Sequence, residues 1–245
     1  MTETDCEPDR DTPPVQRTIS EWMSNRDARG DVLGAEPATD PSQNPEKLGY
    51  GSAWVRVKVQ RQDGSTKQVD TPHVRMRFDS ATYLTSNGRT GAIFPDVNPV
   101  MNFPINTPEF AAMRESGLHY LEAMEHPEQT IPTITGKPIP GAIGGTPLHR
   151  LYHDNYWREK NREEAVRTCV SDLPPGQYPR EGYDCDEYPF ASTREGAWQT
   201  TNPQRNFSVK AIPRPDNSAS GTWIGTWYSY DRIIDGDHFY VRVTP

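Results

Sequence analysis

The densest group of side chains capable of chemistry is the run GYDCDEYPFAST at residues 182 to 193, where Asp184, Asp186 and Glu187 stand beside Tyr188 and Phe190. Carboxylates this close repel one another unless a cation, a proton or solvent relieves them. Successive side chains alternate in direction along a strand, so Asp184 and Asp186 share a face and can share a metal or a proton. With Asn217 available downstream, the donors are hard oxygens, which suit Mg²⁺ or Mn²⁺ better than zinc. A solvated acidic turn is the competing reading of the same residues.

A second candidate is LHRLYHDN, where His149 and His153 are four positions apart. On one face of a helix predicted from about Leu148 to Val170, that spacing can chelate a transition metal. The glutamate of an HExxH motif is missing, so surface or packing histidines are the better reading. The same helix mixes Arg158, Lys160, Arg162 and Arg167 with Glu159, Glu163 and Glu164, the pattern of a solvated, ion-paired face. There is no Walker loop, no GxSxG elbow and no GxGxxG turn.

Of three cysteines, Cys169 and Cys185 flank the Pro/Gly-rich connection SDLPPGQYPREGYD. A disulfide would close that loop sensibly and would imply an oxidising compartment. Two unpaired buried thiols are the alternative, with a catalytic thiol behind them. Cys6 lies in an acidic stretch and is expected to be unpaired. No CxxC pair marks a structural zinc site.

These residues need elements to position them. The 245 residues suffice for one large domain with appendages, and 24 prolines with 18 glycines put much of the backbone in loops and turns. Long helical bundles are therefore not expected. No apolar run approaches the roughly 18 residues of a membrane span, and the start of the chain lacks a signal-peptide pattern. The net charge of −8 argues against a polyanionic partner at first sight, yet residues 1 to 50 carry 11 acidic and 5 basic residues. The remainder is nearly neutral, so a local basic groove is possible.

Residues 1–48 read as an acidic, proline-rich tail, disordered or wrapped, in which only TISEWMS could dock. Residues 49–93 read as a β-hairpin extension: AWVRVKVQ, a turn at QDGST, then HVRMRFDSATYLT, with Arg56, Lys58, Arg75 and Arg77 on one wet face. A helix follows Thr107 as N-cap and Pro108, with Phe110, Met113, Leu118, Leu121 and Met124 as its apolar stripe, ending near His126. After the second helix come strand-like GYDCDEYPFAST, a strand at NFSVKAIPR, a short helix at NSASGTWIGTWYSY and a closing strand at DHFYVRVTP.

GYDCDEYPFAST resembles the signature of the NucA/NucB family of secreted bacterial deoxyribonucleases, whose members carry GYDxDEWP or CDEYPFAS there. The likeness continues in order through VMNFPINTPEF, HYLEAMEHP, KNREEAV and DNSASGTWIG, and covers roughly residues 98 to 245. It implies an α+β fold with a ββα-metal nuclease core and two preceding helices, the nuclease domain occupying 94–245 and the hairpin extension lying outside the shared part. It also implies a non-specific, divalent-metal-dependent endonuclease. On this sequence Asp186 becomes the base on the first strand, where most ββα-metal nucleases use histidine. Glu187 becomes a metal or supporting carboxylate and Asn217 the helix-start metal ligand, with Asp184 available to the same cation. The family's Cys-Glu-Glu-Gly stretch reads Thr193-Arg194-Glu195-Gly196, so Glu195 alone carries over, as a supporting residue.

Phosphodiester hydrolysis needs an activated water, neutralised phosphate charge and a stabilised leaving oxygen. Arg162, Arg205 and Lys210 are the candidate phosphate contacts, which confer affinity without sequence preference. The expected protein is a monomeric, extracellular enzyme acting on DNA, its leader taken as already removed, with a protein inhibitor or immunity partner conceivable. The alternatives are a nuclease toxin module delivered into rival cells, and a non-catalytic module whose GTWIGTWYSY aromatics stack on a sugar or a protein.

Overall fold

A computed structural model describes residues 15–27, 46–84, 90–198 and 204–245, with the backbone of 7–8 and 32–33. Cys6 lies outside the described residues. The fold is mixed α and β with several small sheets, and the chain divides into two compact units, Met1–Val97 and Asn98–Pro245.

In the first unit a short helix, Ile19–Ser24, forms within the predicted tail because Thr18 and Glu21 make a reciprocal capping box. The hairpin expected between AWVRVKVQ and HVRMRFD is drawn differently. Arg56–Gln60 pairs with Thr66–Asp70, while Val74–Asp79 pairs with Gly49–Ala53 and with Gly91–Ile93. The tight turn at Asp63-Gly64, with Gly64 at φ 82°, returns the chain at once, so the residues just beyond it become the partner strand.

The elements of the second unit are numbered here from its start. Strand β1 (Val100–Pro104) runs parallel to the last strand, β5 (His238–Thr244), whose beginning also pairs antiparallel with β2 (Leu148–His149). Strands β3 (Tyr183–Tyr188) and β4 (Ser208–Pro213) form a separate antiparallel pair. Helix α1 (Arg114–Glu125) follows a 3₁₀ turn at Pro108–Met113, and α3 (Arg214–Tyr230) leaves β4 directly. Phe103, Tyr120, Tyr188, Phe190, Trp227 and Phe239 lie in the main core. A smaller core of Ala165, Cys169, Cys185, Ala197, Phe207 and Val209 joins helix α2 (Asn155–Asp172) to β3 and β4.

Two helix expectations change. The deeply buried face of α1 is Ser116, Gly117, His119, Tyr120 and Ala123, while Phe110, Leu118, Leu121 and Met124 pack at the core margin. Gly117 is required there, since a Cβ would lie 2.3 Å from Ile105 Cγ2. Helix α2 starts at Asn155, because Asp154 caps it by accepting from the Trp157 N–H at 2.8 Å. His149 is held in β2 opposite His238. His149 and His153 therefore do not share a helix face, and the chelating pair is lost.

Cys169 and Cys185 form a disulfide with Cα atoms 6.1 Å apart, tying α2 to β3. Among the described residues no helix is long and apolar enough to cross a membrane.

Candidate active site

Strand β3 sits between helices, and its alternation sends Asp184 and Asp186 toward one side while Cys185 joins α2 on the other. A cleft of about 530 Å³ opens over this strand. It brings together Asp184, Asp186 and Glu187 from β3, Asn217 from the first turn of α3, and Arg158 and Arg162 from α2. Arg150, Tyr152, Ser192 and Tyr228 complete the part of the wall that matters for charge and hydrogen bonding.

Asp186 is buried at the cleft floor, 4% exposed. Its Oδ2 lies 2.8 Å from His119 Nδ1, and Tyr120 Oη donates to Oδ1 at 3.4 Å. His119 Nε2 lies 2.7 Å from Ser208 Oγ, and Tyr120 Oη lies 2.8 Å from Ser220 Oγ. Burial pushes the Asp186 carboxyl well above the usual range and lowers His119 to about 3, leaving the imidazole neutral. Glu187 is pushed up to about 8, first by burial and then by Asp186, against the opposing pull of Arg162. Asp184 Oδ1 accepts from Arg214 Nε at 3.0 Å.

The position of α3 depends on Asp216, which sequence reasoning passed over. Its two oxygens accept the Glu115 and Ser116 N–H groups, each at 2.9 Å, so one buried carboxylate caps α1 and anchors the start of α3. Gly221 and Gly225 follow Asn217 at four-residue intervals along the cleft. A Cβ on either would meet no atom within 4 Å, so packing does not require these glycines. Their effect is a bare lane of helix facing the cleft.

Three predicted residues lie elsewhere. Arg205 pairs with Asp172 at 2.9 Å and Lys210 with Glu122 at 2.9 Å. Glu195 accepts from the His149 N–H at 2.8 Å and lies 2.7 Å from His149 Nδ1. None of the three lines the cleft. Its basic wall is instead Arg150, Arg158 and Arg162. Arg150 is buried, donates to the Ile233 carbonyl and stacks 4.4 Å from the Tyr228 ring centre. Arg158 was visible in the sequence only as part of an ion-paired helix. Nothing local distinguishes His119 or Arg150.

Among the described residues no three His, Cys, Asp or Glu side chains form a metal-binding group. The mixed donor set of carboxylates and one amide nonetheless fits a hydrated hard cation, which keeps several waters and needs one or two protein oxygens. A carboxyl held up to about 8 beside a second carboxyl is the kind of group a cation would return to its charged form.

Fold and cleft together define an α+β protein with acidic residues facing arginines across a groove. Residues 145–242 match the model of the family described as deoxyribonuclease NucA/NucB. It is also 31% identical over 106 residues to the DNA-entry nuclease of Bacillus subtilis (strain 168), an alignment covering 43% of this chain and 61% of that relative. The chain thus spans about three fifths of the relative's length. Apart from Tyr120, every residue lining the cleft falls inside 145–242.

Proposed function

We propose that the chain is a divalent-metal-dependent deoxyribonuclease that cuts DNA without sequence preference and works outside the cytoplasm. The observation that carries this reading is the cleft itself, where Asp184, Asp186, Glu187 and Asn217 face Arg150, Arg158 and Arg162. The family match and the relative's name support DNA as the substrate. The buried Cys169–Cys185 bridge supports an oxidising compartment. The order β3, β4, α3, with the helix leaving the antiparallel pair directly, supports a ββα-metal core.

In this mechanism Arg158 and Arg162 hold the phosphate backbone by charge, which attracts any sequence equally. The bare lane at Gly221 and Gly225 lets the strand approach the helix backbone closely. Asp186 takes the proton from the attacking water, and its buried position makes it a stronger base than a free aspartate. Glu187 and Asn217 would hold a Mg²⁺ or Mn²⁺ ion, which when bound neutralises charge on the phosphate and on the leaving oxygen. Asp184 keeps Arg214 at the edge of this group.

Plasmid nicking with Mg²⁺, Mn²⁺ or a chelator tests the reading. Nicking that stops in chelator and returns with metal is expected, and cleavage that persists after exhaustive chelation would refute the metal-dependent mechanism.

A further inference from the structure

His119 is 1% exposed and makes two close contacts, one to the proposed base and one to a hydroxyl on the neighbouring strand. The series Ser208, His119, Asp186 has the composition of a nucleophilic triad. It cannot act as one, because Ser208 is fully buried and does not line the cleft. The hydroxyl therefore acts on the imidazole and not on a substrate.

The hydrogen-bond accounting gives the series a direction. A neutral imidazole carries one ring proton. If Asp186 is to accept a proton from water it must be ionised, so it needs a donor at Nδ1, and Nε2 must then accept the Ser208 hydroxyl proton. Asp186 Oδ2 is thereby occupied at 2.8 Å, while the side-chain contact to Oδ1 is the long 3.4 Å one from Tyr120. Asp186 is also a cleft residue, so the less engaged oxygen is the one available to water.

We propose that His119, backed by Ser208, is a positioning residue for the proposed nuclease reaction: it fixes the Asp186 carboxylate so that Oδ1 is the proton-accepting atom. The inference rests on the nuclease reading of the cleft. His119 lies outside the 145–242 family match and reaches Asp186 across 67 residues of sequence. It touches neither substrate nor cation and acts only through Asp186.

The test compares His119→Leu, His119→Asn and Ser208→Ala on plasmid and oligonucleotide DNA. His119→Leu should lower kcat at least about tenfold with KM nearly unchanged, the pattern of an interaction used in the transition state. His119→Asn, whose amide can still donate to Asp186, should recover most of the rate. Ser208→Ala should cost a smaller factor in the wild-type background and almost nothing beside His119→Asn, because the asparagine no longer reaches Ser208. With Mg²⁺ present, so that Asp186 is ionised, nitrogen-15 NMR should find the His119 proton on Nδ1. A proton on Nε2, or an unchanged kcat for a folded His119→Leu, would overturn the inference while leaving the nuclease reading intact if the wild type cuts DNA. A wild type that cuts no DNA with any divalent cation would sink both.

Discussion

Two antiparallel ribbons of similar length contrast sharply in exposure. Arg56–Gln60 and Thr66–Asp70 pair through a tight turn, and every residue of both strands is exposed. In β3 and β4, Cys185, Asp186, Tyr188, Ser208, Val209 and Ile212 are buried. Arg56–Gln60 and the first half of β3 both alternate polar and apolar residues. What separates them is cover: α1, α2 and α3 all pack on the second ribbon. A charged pair such as Arg56 and Asp70 stays in water and keeps its charge cheaply. The same kinds of groups under helices acquire displaced proton affinities and fixed partners, which is how a ribbon becomes a site.

The comparison can be broken most severely at its buried end. Asp186→Asn keeps shape and hydrogen bonding but removes basicity, so turnover should fall about 100-fold or more while DNA binding in chelator is largely kept. Filter binding and nicking on the same preparation check this. Full activity of the variant would move the base elsewhere.

The next effect is on stability. The Cys169–Cys185 bridge closes a separation of 16 residues, and its loss should cost about 3 kcal/mol. Melting curves with and without reductant should show the drop. Activity should also be lost at lower temperature, because α2 carries Arg158 and Arg162 against β3. Equal melting in both conditions would contradict this.

A third effect concerns pH. Glu187 is held up to about 8 against an ordinary 4.5. The folded chain therefore keeps a proton that the unfolded chain releases, and the Glu187 contribution to stability should fall as pH rises between those values and level off above about 8. Asp186 is raised in the same direction and adds to the slope. Metal-free melting temperatures from pH 5 to 8 should fall. Glu187→Gln should flatten the fall, and added Mg²⁺ should offset it at pH 8.

The smallest effect is expected in the exposed ribbon. Arg56 and Asp70 are bonded at 2.9 Å with both side chains well exposed. Removing either should leave the melting curve unchanged within error. A large loss would mean that the ribbon is covered in solution by something the exposed pair helps to hold.

Much of the second unit was legible from local signals. The acidic run, the strand before Asn217, the proline at the start of the 3₁₀ turn leading into α1, and the paired cysteines each announce themselves within a few residues, whereas the Thr107 hydroxyl donates to the Pro104 carbonyl and does not cap that turn. Errors arose where a local pattern had two acceptable outcomes. LHRLYHDN reads as helix by spacing, but pairing with β5 claims His149 and the Asp154 cap starts α2 later. Arg205 and Lys210 are as basic as Arg158, yet Asp172 and Glu122 neutralise them away from the cleft.

By itself, the sequence determined which residue types were available and roughly where the three helices and the strands at 183–188, 208–213 and 238–244 would fall, because propensity, capping and turn chemistry act over short range. Only the tertiary structure decided which carboxylate would be buried, which arginines would face it, and that His119 and Asp216 would hold the parts together. His119 bonds Asp186 across 67 residues, and Asp216 caps α1 across about a hundred. Such contacts depend on how helices cover a strand, since burial and the loss of water, and not residue type, give these groups their strength and direction.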